Sequence, residues 1–338
     1  MTQAPSTLLL SDPPPRPAVI ALSEGHDPRV VAGALAAQKA GIAHVGLVGP
    51  GDAVRAALRD QGGREGEDEG VTVHDPAASP HLEAFAQAFH TLRRHKGVDE
   101  AAARAAVRTP LIYAAMLVRE GHADGTLGGA VATTADVVRT AIQVIGMAPD
   151  AGMVSSCSLL LPPQGAGGDA RAMIYADCGL VIEPSAADLV TIAAAAAQSC
   201  RALLRLEPRI AMLSFSTKGS AQHSFAEKSA QAAAMLKERH PDLHVDGELQ
   251  FDAAFAPDIA ARKSPDSTVA GCANVMVFPD LGAANIGYKI TERLGGYSAI
   301  GPVLQGLRRP ANDLSRGCAA RDVTEMIAVT ALQALEKS

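Results

Sequence analysis

The regular part of the chain begins with a repeated alternation of strand-like and helix-like segments. AVIAL from Ala18 is a short apolar run, SEGHDPRV a polar turn, VVAGALAAQKA an Ala-rich helical segment, and GIAHVGLVG a second apolar run ending in glycine. Continuous apolar runs joined by helical segments describe strands buried on both faces, which is the parallel-sheet unit. In such sheets ligands gather at the carboxyl ends of the strands. Glu24, Asp27 and Arg29 stand at one such end, where capping of the following helix is the simplest use for them.

The alternation continues. After a charged, glycine-rich insert at Gly62 to Gly70, VTVHDP reads as a strand and HLEAFAQAFHTLRRHKG as a helix with Leu82, Phe85, Phe89 and Leu92 at helical spacing. Its final turn crowds Arg93, Arg94, His95 and Lys96, where cations complement the negative helix end. EAAARAAVRTPLIYAAMLVREG reads as one long helical stretch. In ADGTLGGAVATTADVVRTAIQVIG, a small-residue loop from Gly125 to Ala130 feeds a helix that Thr133 or Thr134 can cap. Backbone N–H groups at such a helix start form a candidate anion site, with Arg139 about a turn inside.

GMAPDAG marks a boundary, after which MVSSCSLLL and ARAMIYADCG form a hairpin with a long turn. Further strands and helices run from Asp188 to Leu281, and the pattern never becomes all-α or all-β. With 338 residues the chain exceeds the size of one core, so two α/β domains are expected. We place residues 1–150 with 303–338 in the first and 151–302 in the second, because a C-terminal helix patterned by Val323, Met326, Ile327, Thr330 and Leu335 needs a core to pack on. The cores must be aliphatic, since 48% of the residues are hydrophobic but only 3% aromatic.

Composition also excludes some functions. A formal net charge of -6 argues against general nucleic-acid binding. Five cysteines, none in C-x-x-C spacing, indicate neither a disulfide framework nor a metal site and fit a reducing cytoplasm. The start of the chain lacks a signal-peptide pattern and reads as a loose leader, and no membrane span is expected.

Gly301 to Asp322, GPVLQGLRRPANDLSRGCAARD, is the stretch where polar chemistry concentrates. Breakers are interleaved with arginines, a serine and a closing aspartate, as in a loop that points side chains into a cleft. Arg316 suits phosphate or a developing oxyanion through its planar fork of donors, and Ser315 adds a neutral donor. Asp322, with Glu325 three residues on, also fits a helix N-cap of the capping-box type, and N–H bonds of that kind compete with its use as a base.

These residues carry a family resemblance. VDGELQFDAAFAP, KSPDSTVAGCANVMVFPDLGAANIGYK and GPVLQGLRRPANDLSRGC followed by Asp322 resemble phosphate acetyltransferases of the phosphate acetyl/butyryltransferase family. The likeness extends through IALSEGHDPRV, LRRHKG, ADGTLGGAVATTADVVRTAIQVIG and MLSFSTKGS, leaving out only the leader and the glycine-rich insert. It implies a fold like that of isocitrate and isopropylmalate dehydrogenases, two three-layer α/β domains with the site in a cleft, usually as a homodimer.

The resemblance further implies reversible acetyl transfer between CoA and phosphate in a ternary complex, without covalent enzyme intermediate, metal or bound cofactor. CoA or acetyl-CoA, acetyl phosphate and phosphate would be the substrates. Asp322 would take the thiol proton, Arg316 would hold phosphate and the tetrahedral centre with Ser315, and Arg93 and Arg139 would bind CoA or phosphate. Cys318 has no implied role. Butyryl-transferring relatives and acetyl-CoA-sensing domains fused to malic enzymes are the alternatives; NDLSRGCAARD favours the acetyl enzymes, and a catalytic core without regulatory extension is expected.

Overall fold

The computed structural model describes residues 4–14 and 16–336. The chain divides into two compact units, one built from Pro5–Pro149 with Leu307–Ser338 and the other from Asp150–Gly306.

The first unit opens with a helix, Pro5–Ser11 (α1), whose Leu8 and Leu9 are buried. The described part of the expected loose leader is therefore structured; Pro15 and the first three residues lie outside the described residues. Strand Ala18–Leu22 (β1), helix Pro28–Lys39 (α2), strand Ala43–Val48 (β2), helix Gly51–Asp60 (α3) and strand Val71–His74 (β3) follow. Asp27 caps α2 through the Arg29 amide and Pro28 fills its first position, where no N–H is needed.

Helix Leu82–Arg93 (α4) runs into a 3₁₀ turn over Arg94–Lys96. The stretch read as one long helix is two, Glu100–Ala106 (α5) and Pro110–Arg119 (α6), bent by 98°. Pro110 is the cause, because it can begin a helix but cannot donate within one. Strand Gly125–Gly128 (β4) leads to helix Thr134–Thr140 (α7), capped by Thr133, which continues as a wider turn over Ala141–Ile145.

In the second unit, strands Ser155–Leu161 (β5) and Met173–Ala176 (β6) form the antiparallel hairpin read from the sequence. Helix Ala186–Leu204 (α8) carries a full capping box between Ser185 and Asp188. Its length and apolar character would suffice to cross a membrane, and Leu189, Val190, Ile192 and Leu203 are buried in this unit. Strand Arg209–Leu213 (β7), helix Ser224–Arg239 (α9), strand His244–Leu249 (β8), helices Phe251–Phe255 (α10) and Pro257–Lys263 (α11), strand Val275–Val277 (β9), helix Leu281–Arg293 (α12) and strand Ser298–Gln305 (β10) complete it. The sheet order is β10-β5-β6-β9-β7-β8, parallel from β6 through β8 and antiparallel at the β10 edge. Leu160, Met173, Tyr175, Met276 and Phe278 pack in its core.

The chain then returns to the first unit through a short strand, Ala311–Asp313 (β11), and a long helix, Ala320–Glu336 (α13). The first sheet has the order β11-β4-β1-β2-β3 and is parallel throughout. Gly301 to Asp322 is thus not one broken loop, since its first residues lie in β10 and its middle in β11. Val323, Ile327 and Val329 of α13 are fully buried, and α13 packs on α2 and α1. Each such side chain contributes about 1.5–3 kcal/mol by leaving water.

Candidate active site

Three adjacent strands of the parallel sheet, β11, β4 and β1, end side by side, and their outgoing loops build one polar cluster. The loop after β1 carries Ser23, Glu24 and Asp27, that after β4 Gly129 to Thr133, and that after β11 Leu314 to Ala319.

Glu24 organises the second loop. Its buried carboxylate accepts from the amides of Ala130 at 2.7 Å, Val131 at 3.0 Å and Ala132 at 2.7 Å. The sequence marks this glycine-rich loop as a candidate anion site, but the anion there is the chain's own carboxylate. The last residues of the small-residue stretch are loop, while Gly125–Gly128 is strand. Gly129 has a φ of 104°, and a side chain at that position would collide with Asp313 Oδ1.

Arg29 organises the third loop. Its guanidinium pairs with Asp27 at 2.8 Å, and donates to Ala130 O at 2.9 Å, Arg316 O at 2.7 Å and Cys318 O at 3.3 Å. One planar cation thus clasps the loops after β1, β4 and β11, a geometry that lysine cannot reproduce. The bond to Arg29 holds the Asp27 carboxyl below the usual range, and Asp27 in turn raises Arg29.

Ser315 to Cys318 form a tight turn, closed by the Cys318 amide to Ser315 O at 2.9 Å, with Ser315 Oγ accepting from the Gly317 amide at 3.2 Å. Arg316 projects from its apex, exposed, and its guanidinium makes no hydrogen bond or ion pair among the described residues. Cys318 is buried below, and burial pushes its thiol up, away from the nucleophilic thiolate.

Asp322 is not an N-cap paired with Glu325. It sits in the first turn of α13, and its Oδ2 reaches back to the Ala319 amide at 2.9 Å. Glu325 is engaged elsewhere, accepting from Ser6 Oγ at 2.6 Å. Among the described residues Asp322 Oδ1 makes only a 3.8 Å ion pair with the exposed Arg321.

Arg139 lies on exposed α7, paired with Asp136 at 2.7 Å. Arg93 ends α4 half-buried, and among the described residues no hydrogen bond or ion pair joins it to the Ser315–Cys318 turn. All five candidate residues belong to the first unit. The structure groups Ser315, Arg316 and Asp322, joins to them Glu24 and Arg29 of the strand end noted in the sequence, and adds Asp313, which no sequence pattern flags because β11 is a strand only by pairing with β4. Among the described residues no group of three or more His, Cys, Asp or Glu could hold a metal ion.

Residues 14–331 match the family model described as phosphate acetyl/butaryl transferase. A phosphate acetyltransferase of Paracoccus denitrificans is 50% identical over 315 residues, 93% of this chain and 94% of the relative. A phosphotransacetylase from Streptococcus pyogenes superposes with a TM-score of 0.87 at 40% identity, covering 95% of this chain and 94% of that one. The EutD phosphotransacetylase from Staphylococcus aureus gives 0.88 at 36%, covering 98% of this chain and 100% of that one. The match runs through all three strand-end loops and the Ser315–Asp322 segment, and the chain belongs to the phosphate acetyl/butaryl transferase family.

Proposed function

We infer that this chain transfers an acetyl group reversibly between CoA and inorganic phosphate, and that the chemistry takes place at the Ser315–Asp322 segment by direct attack. The observation that carries the activity is its likeness, over nearly the whole length, to phosphate acetyltransferases. The chain is an acyltransferase, with CoA and acetyl phosphate, or acetyl-CoA and phosphate, as substrates.

The geometry supports a division of labour. Arg316, fixed by its backbone to Arg29 and free at its guanidinium, presents two parallel donors to the phosphoryl oxygens of acetyl phosphate. The Ser315 hydroxyl adds a donor to charge that develops on the carbonyl oxygen, an interaction worth a few kcal/mol in the transition state. Asp322 takes the CoA thiol proton; the sulfur forms the new bond to the acetyl carbon, the carbon–oxygen bond to phosphate breaks, and phosphate leaves with that electron pair. Arg93 and Arg139 supply further cations for the phosphates of CoA.

Thioester formation from acetyl phosphate and CoA tests this reading with wild type, Arg316→Ala and Asp322→Asn. Both variants should lose at least about 100-fold in kcat while keeping the fold. A wild type that forms no acetyl-CoA refutes the activity; an Asp322→Asn variant at full rate refutes the base. Butyryl phosphate in the same assay should turn over more slowly than acetyl phosphate.

The same reading includes a homodimer in the cytoplasm. Ile286, Ile290 and Leu294 stand a turn apart along α12 and its C-terminal cap, 62%, 53% and 85% exposed. On the same unit Phe215, Phe225 and Ile182 line an open cavity of about 630 Å³. A second copy covering this apolar face would remove it from water. Light scattering should give twice the chain mass, and Ile290→Asp should lower it. Five free cysteines fit a reducing compartment.

A further inference from the structure

Asp313 is a buried carboxylate to which the reaction, as derived above, gives no task. It ends β11 opposite Gly128 of β4, and its residue is only 1% exposed. Oδ2 accepts from Thr134 Oγ1 at 2.6 Å, while Oδ1 has no hydrogen-bond partner among the described residues and lies against the Cα of Gly129. Burial, and the like charge of Glu24 at the end of β1, push the carboxyl up to about 6, with the Thr134 bond and the nearby Leu314 amide acting in the opposite direction.

Stability is a poor account of this arrangement. A buried carboxylate with one oxygen unsatisfied costs several kcal/mol in lost hydration, and an apolar residue of the same size would not. What the carboxylate does supply is a short, charge-assisted bond of fixed direction between two segments. One segment is the strand end that runs within two and three residues into Ser315 and Arg316. The other is α7, which starts at Thr134, packs on β11, and carries Arg139 held by Asp136.

The surrounding charges leave that bond as a specific link. Glu24 is committed to the amides of residues 130–132, and Arg29 to Asp27 and three backbone carbonyls. The Leu314 amide donates to Gly128 O at 2.6 Å, so the backbone on the far side of Asp313 is fixed as well.

We propose that Asp313 is a positioning residue for acetyl transfer, tying the Ser315–Arg316 turn through Thr134 to the helix that carries Arg139, so that both cation-bearing segments meet the phosphate groups in one arrangement. This rests on the assignment of the reaction to the Ser315–Asp322 segment. Asp313 itself touches no substrate.

The test is a double-mutant cycle on the full chain, read as kcat and KM for thioester formation from acetyl phosphate and CoA, with urea midpoints measured in parallel. Thr134→Ala and Asp313→Ala should each lower kcat about 10- to 100-fold, since a shift of about 1 Å in a positioned group has effects of that size. The double variant should be no slower than the slower single one within about twofold, because both remove one bond. KM for CoA should change less than about threefold, and Thr134→Ser should stay within about threefold of wild type in kcat.

Thr134 is exposed, so its variants remain informative if Asp313→Ala does not fold. The proposal is overturned if Thr134→Ala keeps wild-type kcat, if the two losses multiply, or if they appear only in the urea midpoint. A wild type that forms no acetyl-CoA overturns the assignment of the reaction, and this inference with it; an active wild type with indifferent variants overturns this inference alone.

Discussion

Gly33→Ala is the sharpest test of how the fold sets the site. Gly33 lies inside α2, where alanine would ordinarily stabilise a helix by about 0.8–1 kcal/mol. Here a methyl group would stand 2.6 Å from Ala320 O, 2.6 Å from Val323 Cβ and 2.9 Å from Val323 Cγ1 of α13. Carbon atoms pack at about 3.5–4.0 Å, so the first turn of α13 would have to retreat by roughly 1 Å. Overpacking costs about 1–3 kcal/mol, and contacts this short, one of them to backbone, put it at about 2–3 kcal/mol, which outweighs the propensity gain and leaves a net loss of about 1–2 kcal/mol.

That turn holds Asp322, and Thr324 Oγ1 donates to Gly33 O at 3.0 Å, so displacement reaches the proposed base directly. Thermal unfolding should show Tm lower by about 2–8 °C, and thioester formation should fall by about 10- to 100-fold in kcat. Ala36→Gly, on the exposed face of the same helix, is the control: it should lose about 1 kcal/mol by propensity and keep its kcat. If Gly33→Ala is instead more stable than wild type and equally active, α2 and α13 do not approach closely enough for Gly33 to set the position of Asp322.

Glu24→Ala should destabilise by about 2–4 kcal/mol, because three amides lose a charged acceptor, and inorganic phosphate should then raise Tm more in the variant than in wild type; equal responses would show that the amides hold no anion. Asp313, raised from 3.8 to about 6, binds its proton more tightly in the folded state, so its contribution to stability is full below the lower value and lost as pH rises through the upper. Wild type should therefore lose up to about 3 kcal/mol relative to Asp313→Asn between about pH 4 and pH 7, and parallel urea midpoints across that range would refute the shift. Cys318→Ala should keep kcat within about threefold, since a buried thiol pushed up by desolvation is no nucleophile; a loss above about 100-fold with an intact fold would contradict that.

The sequence shows what side-chain pattern dictates. β1 and β2 are legible because both faces are largely buried and the runs are apolar apart from His44. β11 is not legible, for Ala311, Asn312 and Asp313 have no apolar pattern: pairing with β4 makes them a strand, and Asn312 is buried because Nδ2 bonds Thr330 Oγ1 at 2.9 Å and Gln333 Oε1 at 2.7 Å. The break between α5 and α6 was signalled by Pro110. Glu24 shows another limit, since residue type says that an anion suits a loop of free amides but not whether that anion arrives from solvent or from the neighbouring strand.

Asp322 brings these limits to the chemistry. Read from sequence, capping and proton transfer compete for one carboxylate; in the proposed reading the two uses fall on different oxygens. Oδ2 is committed to the Ala319 amide, which fixes the rotamer and joins the carboxylate to the turn that Arg29 clasps at Cys318 O. Among the described residues Oδ1 has only a long, exposed ion pair to Arg321, so it is the oxygen available for the proposed transfer of a thiol proton. Capping is then the means by which the proposed base, half-exposed in the first turn of α13, keeps one orientation, and the same clasp holds Arg316. Removing the Asp322–Ala319 bond should therefore disturb rate more than fold: an N-terminal backbone bond of this kind is worth about 1 kcal/mol of stability, whereas a base misplaced by about 1 Å forfeits about a hundredfold in rate.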